Sequence, residues 1–134
     1  MKNATLAAKS PSQSTSVIHL TEQVTVGGQD LLIVGGPCAV ESQDQMDTVS
    51  QHLAGTVQAI RGGVFKPRTS PYSFQGLGHA GLHILDAVRR RYTIPVITEV
   101  MAIAQIDAIA AHADVLQIGS RNMQNFDLLK AVGE

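Results

Sequence analysis

The chain alternates between two hydrophobic periods, and this constrains its fold more than any other feature. "LLIVGG" (31 to 36) is a short, nearly continuous apolar run ending in glycines, as expected for a parallel strand buried on both faces. Ser42 is a natural helix cap, and the apolar positions Met46, Val49, Leu53, Val57 and Ile60 recur at helical spacing, which predicts a helix from Gln43 to about Ile60. "GGVFKP" (62 to 67) reads as a second strand, and "GLHILDAVRRRY" (81 to 92) as a second helix, with its arginines late in the helix where the dipole favours cations. "IPVITEV" (94 to 100), "AIAQIDAIAAHA" (102 to 113), "DVLQIGS" (114 to 120) and "NFDLLKAV" (125 to 132) continue the alternation as strand, helix, strand and helix, with Gly133 as a C-cap. Ahead of this series, "VIHLTEQVTVGG" (17 to 28) predicts a small β-hairpin. Residues 1 to 16 read as a flexible polar tail.

Strands alternating with helices at roughly 30-residue intervals imply a parallel sheet with right-handed crossovers. Two α/β architectures fit, an open doubly wound sheet or part of a (β/α)8 barrel. No GxGxxG motif follows the first strand, which disfavours a dinucleotide fold. Polar residues gather where strands end, at Cys38, Glu41, Lys66, Arg68, Glu99 and Arg121. Barrels build their chemistry at that rim. A complete barrel takes about 250 residues, so four βα units in 134 residues make half of one.

Composition excludes several classes. A net charge of -1 gives no basis for nucleic acid or an anionic membrane as partner, and the absence of Trp argues against base-stacking surfaces. "LLIV" and the other apolar runs of the strand and helix segments are far short of a membrane span. A single cysteine, Cys38, precludes an intrachain disulfide and fits a cytoplasmic setting.

Charge is unevenly distributed within this nearly neutral chain. From Thr48 to Leu85 there is no Asp or Glu, yet "RGGVFKPRTSPYSFQGLG" (61 to 78) holds Arg61, Lys66 and Arg68. Pro67 limits the freedom of the two cations beside it. Thr69, Ser70 and Ser73 add hydroxyl donors. Without a local carboxylate, an anionic ligand is the economical partner for these groups; the alternative is solvated surface charge. "QIGSRN" (117 to 122) repeats the theme, with Gly119 allowing close backbone approach and Ser120 and Arg121 offering donors. Cys38 is either a buried structural thiol or, from its place on the rim, a metal ligand or nucleophile. His79 and His83 have metal-ligand spacing but lie on the second helix, away from the strand ends, and read as solvent-facing. His19, His52 and His112 have no partner pattern. Glu41 and Glu99 either orient a water or donor at the rim or pair with its cations.

"GGPCAVES", "RGGVFKPRTSPYSFQGLG", "ITEV" and "ADVLQIGSRNMQNFDLLKAVG" together closely resemble the 3-deoxy-D-arabino-heptulosonate 7-phosphate (DAHP) synthases of the short bacterial Iβ type, from about Val17 to Glu134. The KPRTSP block is the most specific part and ranks the sister enzyme that makes 3-deoxy-D-manno-octulosonate 8-phosphate well below. The resemblance implies a (β/α)8 barrel of which residues 17 to 134 form the hairpin and first half. It implies an aldol-like condensation of phosphoenolpyruvate (PEP) with erythrose 4-phosphate, at the head of the shikimate route to aromatic amino acids. It also implies a divalent metal (manganese, iron, cobalt or zinc) and a homo-oligomer in the full-length family. Carried over residue by residue, Cys38 resembles a metal ligand. Arg61, Lys66 and Arg121 resemble contacts to the phosphate and carboxylate of PEP, with Lys66 and Arg61 at the reacting centre. Lys66, Pro67, Arg68 and Thr69 resemble the erythrose 4-phosphate segment. By the same resemblance, Glu99 is expected beside the PEP pocket and the backbone N–H of Ser120 is expected to donate to phosphate. The family's other metal ligands come from later strands, so the expectation is a chain that is inactive by itself. The competing expectation is a non-catalytic phosphate-binding half-barrel module that dimerises.

Overall fold

The computed structural model describes residue 12 and residues 14 to 134. Most of the tail expected over 1 to 16 therefore lies outside the described residues. The chain divides into two compact units, Met1–Leu31 and Leu32–Glu134.

In the first unit, β1 (Ile18–His19) and β2 (Thr25–Val26) pair antiparallel, with Ile18 opposite Val26 and His19 opposite Thr25. The turn closes because Thr21 Oγ1 accepts hydrogen bonds from the backbone N–H groups of Gln23 and Val24. This is the expected hairpin.

The second unit is a parallel sheet of four strands in sequential order: β3 (Val34–Gly35), β4 (Ala59–Arg61), β5 (Val96–Val100) and β6 (Val115–Ile118). Between and after them come α1 (Gln43–Leu53), α2 (His79–Tyr92), α3 (Ile106–Ala110, entered through a 3-10 turn at Ile103–Gln105) and α4 (Phe126–Gly133). Ser42 caps α1 as its sequence position suggests, accepting from Gln45 N–H at 3.0 Å. Asn125 caps α4 through Leu128 N–H. Gly133 belongs to the last turn of α4 instead of terminating it.

The first helix and second strand depart from the sequence reading. The helix stops at Leu53 instead of running to Ile60, and the strand is 59 to 61 instead of 62 to 67. The chain turns at Gly55, whose φ of +80° lies in the left-handed region. Gln58 and Ala59 N–H then reach Ile33 O and start the β3–β4 pairing. Val57 and Ile60 are buried, at 8% and 0% exposure, but by the turn and the strand. Their helical spacing reflects a shared core and not a shared helix. Arg61 consequently ends the strand instead of preceding it.

The core lies between the helices and one face of the sheet. Met46 of α1, Leu82, Leu85 and Val88 of α2, Ile109 of α3 and Leu128 of α4 are each at most 1% exposed, and they meet Ile60, Val96 and Val100. Burying each large aliphatic side chain is worth about 1.5–3 kcal/mol. Gly62 sits where Val40, Met46 and Leu85 converge, and a Cβ there would strike the Val40 side chain. Alternation along the strands puts Arg61, Ile97, Glu99, Val115 and Gln117 on the other face, with Arg61 opposite Ile97 and Glu99 opposite Gln117. No helix among the described residues is long and apolar enough to cross a membrane.

Candidate functional site

The segments following the four strands converge on a cavity of about 230 Å3. After β3 come Pro37 and Cys38; β4 and its loop give Arg61, Gly62, Gly63, Lys66, Pro67 and Arg68; β5 gives Ile97, Thr98 and Glu99; β6 and its loop give Gln117, Gly119, Ser120 and Arg121. Arg61, Lys66, Arg68 and Arg121, widely spaced in sequence, thus share one cavity with the thiol. None of the four cations takes part in an ion pair among the described residues; the ion pairs found among them lie on α1, α2 and the segment before β6.

Lys66 is 7% exposed. Its Nζ donates to Cys38 O at 2.7 Å and to Cys38 Sγ at 3.2 Å. Gly63 provides the room, since a Cβ on it would press on Lys66 Nζ and Cys38 O. Cys38 itself is exposed, so it is not the buried structural thiol that base rates favour. The Lys66 hydrogen bond and charge lower its thiol below the usual range of pKa values, with Arg68 and Arg61 adding to the effect and partial desolvation opposing it.

Glu99 is 8% exposed and points into the cavity against Gly119, where a Cβ would collide with Glu99 Oε1. Absence of a side chain at position 119 is therefore what lets this carboxylate fit. Ser120 and Arg121 lie in a 3-10 turn, Ser120–Asn122, directly after Gly119.

Other sequence candidates lie elsewhere. Thr69 is exposed and off the cavity lining. Arg68 N–H bonds back to Lys66 O at 2.8 Å, a tight turn about Pro67 that keeps Arg68 on the cavity and carries Thr69 away. Glu41 is also exposed and off the lining; its N–H donates to the Gln45 side chain. His79 packs edge-on to Phe65 with ring centroids 5.6 Å apart, and His83 packs edge-on to His112 at 5.0 Å. Among the described residues no three His, Cys, Asp or Glu side chains gather as a metal site. Gln117 was missed. Its signal was a lone polar residue on an apolar strand, two positions before Gly119 and in register with Glu99.

The arrangement is suited to holding small polyanions, with arginine forks and a lysine point charge set around a pocket with one buried carboxylate. Comparison with known proteins agrees in kind. The family model described as the DAHP synthetase I family matches residues 11–134. The chain is 42% identical over 119 residues to phospho-2-dehydro-3-deoxyheptonate aldolase of Thermotoga maritima, covering 88% of this chain and 35% of that protein. It is 33% identical over 117 residues to 2-dehydro-3-deoxyphosphooctonate aldolase of Syntrophobacter fumaroxidans, covering 81% of this chain and 41% of that one. Among solved structures, the Thermotoga maritima phospho-2-dehydro-3-deoxyheptonate aldolase (DAHP synthase) superposes with a TM-score of 0.80 at 39% identity, over 90% of this chain and 34% of its own. The chain thus spans well under half the length of these relatives. By the extent of the family match and the likeness of the fold, it belongs to the DAHP synthetase I family.

Proposed function

We propose that this chain carries the PEP-binding half of a DAHP synthase, its four βα units being the first half of a (β/α)8 barrel. The reaction joins C3 of PEP to the aldehyde carbon of erythrose 4-phosphate, water adds at C2, and inorganic phosphate leaves. The observation that carries this reading is the convergence of Arg61, Lys66, Arg68 and Arg121 on one cavity, with no ion pair among the described residues to neutralise them. Both substrates are phosphorylated and PEP adds a carboxylate, so several fixed cations are what they require. The heptulosonate reading is favoured over the octulosonate one by the higher identity, 42% against 32–37%.

In this reading Arg61 and Arg121 take the phosphate and carboxylate of PEP, and the Ser120 N–H adds a donor. Lys66 and Arg68, held on either side of Pro67, extend the cationic surface toward the phosphate of the second substrate. Holding the two anions in line is the main contribution these residues make, because it converts an encounter into a positioned pair. Glu99 accepts from a water or hydroxyl inside the cavity.

The resemblance implies a divalent metal that activates the aldehyde. The described residues do not fit such a centre by themselves, because Cys38 is a single donor and Lys66 Nζ lies against its sulfur. The chain alone is therefore proposed to bind substrate without turning it over.

Calorimetric titration of the 134-residue chain with PEP and with inorganic phosphate tests this. Saturable binding that weakens with salt and with Arg121→Ala is expected, together with no turnover on PEP, erythrose 4-phosphate and Mn2+. Binding indifferent to both Arg61→Ala and Arg121→Ala would remove the cavity from consideration, and normal turnover would overturn the half-site reading.

A further inference from the structure

Cys38 sits in an interruption of the β3–β4 pairing. The two strands pair at Val34 and Gly35. The chain then leaves the ladder at Gly36, whose φ of +132° favours glycine and where a Cβ would strike Arg61 O. Pro37 follows and has no N–H to offer. Pairing resumes for a single bridge, Ala39 opposite Gly63, with Val40 N–H donating to Gly63 O at 2.9 Å and Gly63 N–H to Cys38 O at 3.3 Å. This excursion presents Cys38 to the cavity, and the Cys38 carbonyl also takes Lys66 Nζ at 2.7 Å.

One bridge is a thin attachment for a turn that carries both the thiol and the acceptor of a buried ammonium. A second attachment comes from behind, from Gln45 in the first turn of α1. Its Oε1 accepts from Glu41 N–H at 3.0 Å and its Nε2 donates to Ala39 O at 3.4 Å, so one side chain ties the backbone on both sides of the fully buried Val40. Gln45 stands three residues after the cap Ser42, where a glutamine ordinarily returns to the N–H of the cap residue itself. Gln105 does so after β5, accepting from the cap residue Ala102 at 3.2 Å. Gln45 instead passes over Ser42 and bonds outside the helix. What it secures is the turn, since the helix end is already capped by Ser42 Oγ through Gln45 N–H.

We propose that Gln45 is a positioning residue of the site: by clamping Ala39 and Glu41 it fixes the turn that presents Cys38, and through the Cys38 carbonyl it fixes the Lys66 ammonium. Gln45 is itself off the cavity lining, so it acts only through these neighbours. The connection runs from Gln45 to Ala39, across the bridge to Gly63, and through Cys38 to Lys66. Gln45→Glu separates the two roles a residue in this place can have. A glutamate keeps an acceptor for Glu41 N–H and suits the positive end of the helix. It replaces the donor to Ala39 O with an oxygen that repels it. A helix-capping role predicts an undisturbed α1 and an undisturbed turn; the positioning role predicts an undisturbed α1 and a loosened turn. The consequence for an anionic ligand rests on the cavity reading above, whereas the positioning does not.

Residue-resolved amide hydrogen exchange on the ligand-free full chain tests this, with Gln45→Glu, Gln45→Ala and Ser42→Ala compared with the wild type. The Val40 and Gly63 amides, the two donors of the bridge, should exchange about five- to tenfold faster in both Gln45 variants, as loss of a hydrogen bond implies. In Gln45→Glu the amides of Val49, Ser50 and Leu53 in α1 and of Ile60 in β4 should keep their wild-type protection. Ser42→Ala should do the reverse, with faster exchange at the start of α1 and no change at Val40 and Gly63. Wild-type rates at Val40 and Gly63 in both Gln45 variants, or acceleration there only in step with α1, would overturn the proposal. So would a Ser42→Ala variant that loosened the bridge as much as Gln45→Glu. Phosphate titration of Gln45→Ala reports on the cavity separately. A loosened bridge with weaker phosphate binding upholds both readings; a loosened bridge with unchanged binding upholds the positioning and counts against the anion reading alone.

Discussion

Lys66 puts the cavity reading at greatest risk, because its substitution should move three quantities in different directions. Lys66 is 7% exposed, and among the described residues its ammonium has no carboxylate partner and bonds to Cys38 O and Sγ. Lys66→Met keeps the length of the stem and removes the charge. Burying an uncompensated charge is costly, so the ligand-free variant should be at least as stable as the wild type. Binding should suffer, since one charge-assisted hydrogen bond is worth about 1.5–3 kcal/mol, or roughly ten- to a hundredfold in Kd. At a phosphate concentration one hundred times the wild-type Kd, the ligand stabilises the wild type by about 2.7 kcal/mol; a variant binding a hundredfold more weakly gains only ~0.4 kcal/mol. The thiol should follow as well. Without the Lys66 hydrogen bond and charge, the midpoint of Cys38 alkylation by iodoacetamide should rise toward the ordinary 9.0, measured with chelator present. Thermal unfolding with and without phosphate, plus the alkylation pH profile, gives all three readouts. A Lys66→Met chain that kept the full phosphate-induced stabilisation would show that this ammonium does not face the anion, and the assignment of the cavity would fall with it.

Two further perturbations probe the scaffold. Gly119→Ala should destabilise by about 1–3 kcal/mol in urea unfolding, the usual cost of overpacking, because the new Cβ collides with Glu99 Oε1; adding Glu99→Ala should recover most of the loss, and no recovery would place the strain elsewhere. Asp86 is 8% exposed and takes Arg89 and Arg90 each at 2.7 Å. Burial pushes its carboxyl up, but the hydrogen bonds and charges of the two arginines outweigh this and hold it below the ordinary 3.8. A depressed carboxylate stabilises above its unfolded pKa and loses that contribution as pH falls through the lower folded value. Asp86→Asn should therefore cost on the order of 1 kcal/mol near neutrality, kept small because Arg90 is 76% exposed. The gap should close in acid below about 3.8; a gap constant with pH would refute the ion-pair account.

The order of elements was legible because each βα repeat announces itself twice, through a short apolar run and then a helical period. The hairpin, α2, β5, β6 and α4 fall where those signals put them, within a few residues. The α1–β4 boundary was not legible, because Val57 and Ile60 point into the same core as the helix before them and a periodicity count cannot tell a shared helix from a shared destination. The cationic rim was readable from composition, since an acid-free stretch has nothing local to neutralise its arginines. Its internal contacts were not. Cys38 and Lys66 are 28 positions apart and meet only because β3 and β4 are neighbours. Gly119 read as a place for backbone to approach a ligand, yet the group that needs its missing side chain is Glu99, from the adjacent strand. Both are contacts across strand neighbours at one height above the sheet. Once the strand order is known they become predictable: residues just past the ends of adjacent parallel strands must share space, so a glycine there marks where the neighbour's side chain is largest. By the same rule Gln117, in register with Glu99, belongs to the cavity as firmly as the charged residues that first drew attention to it.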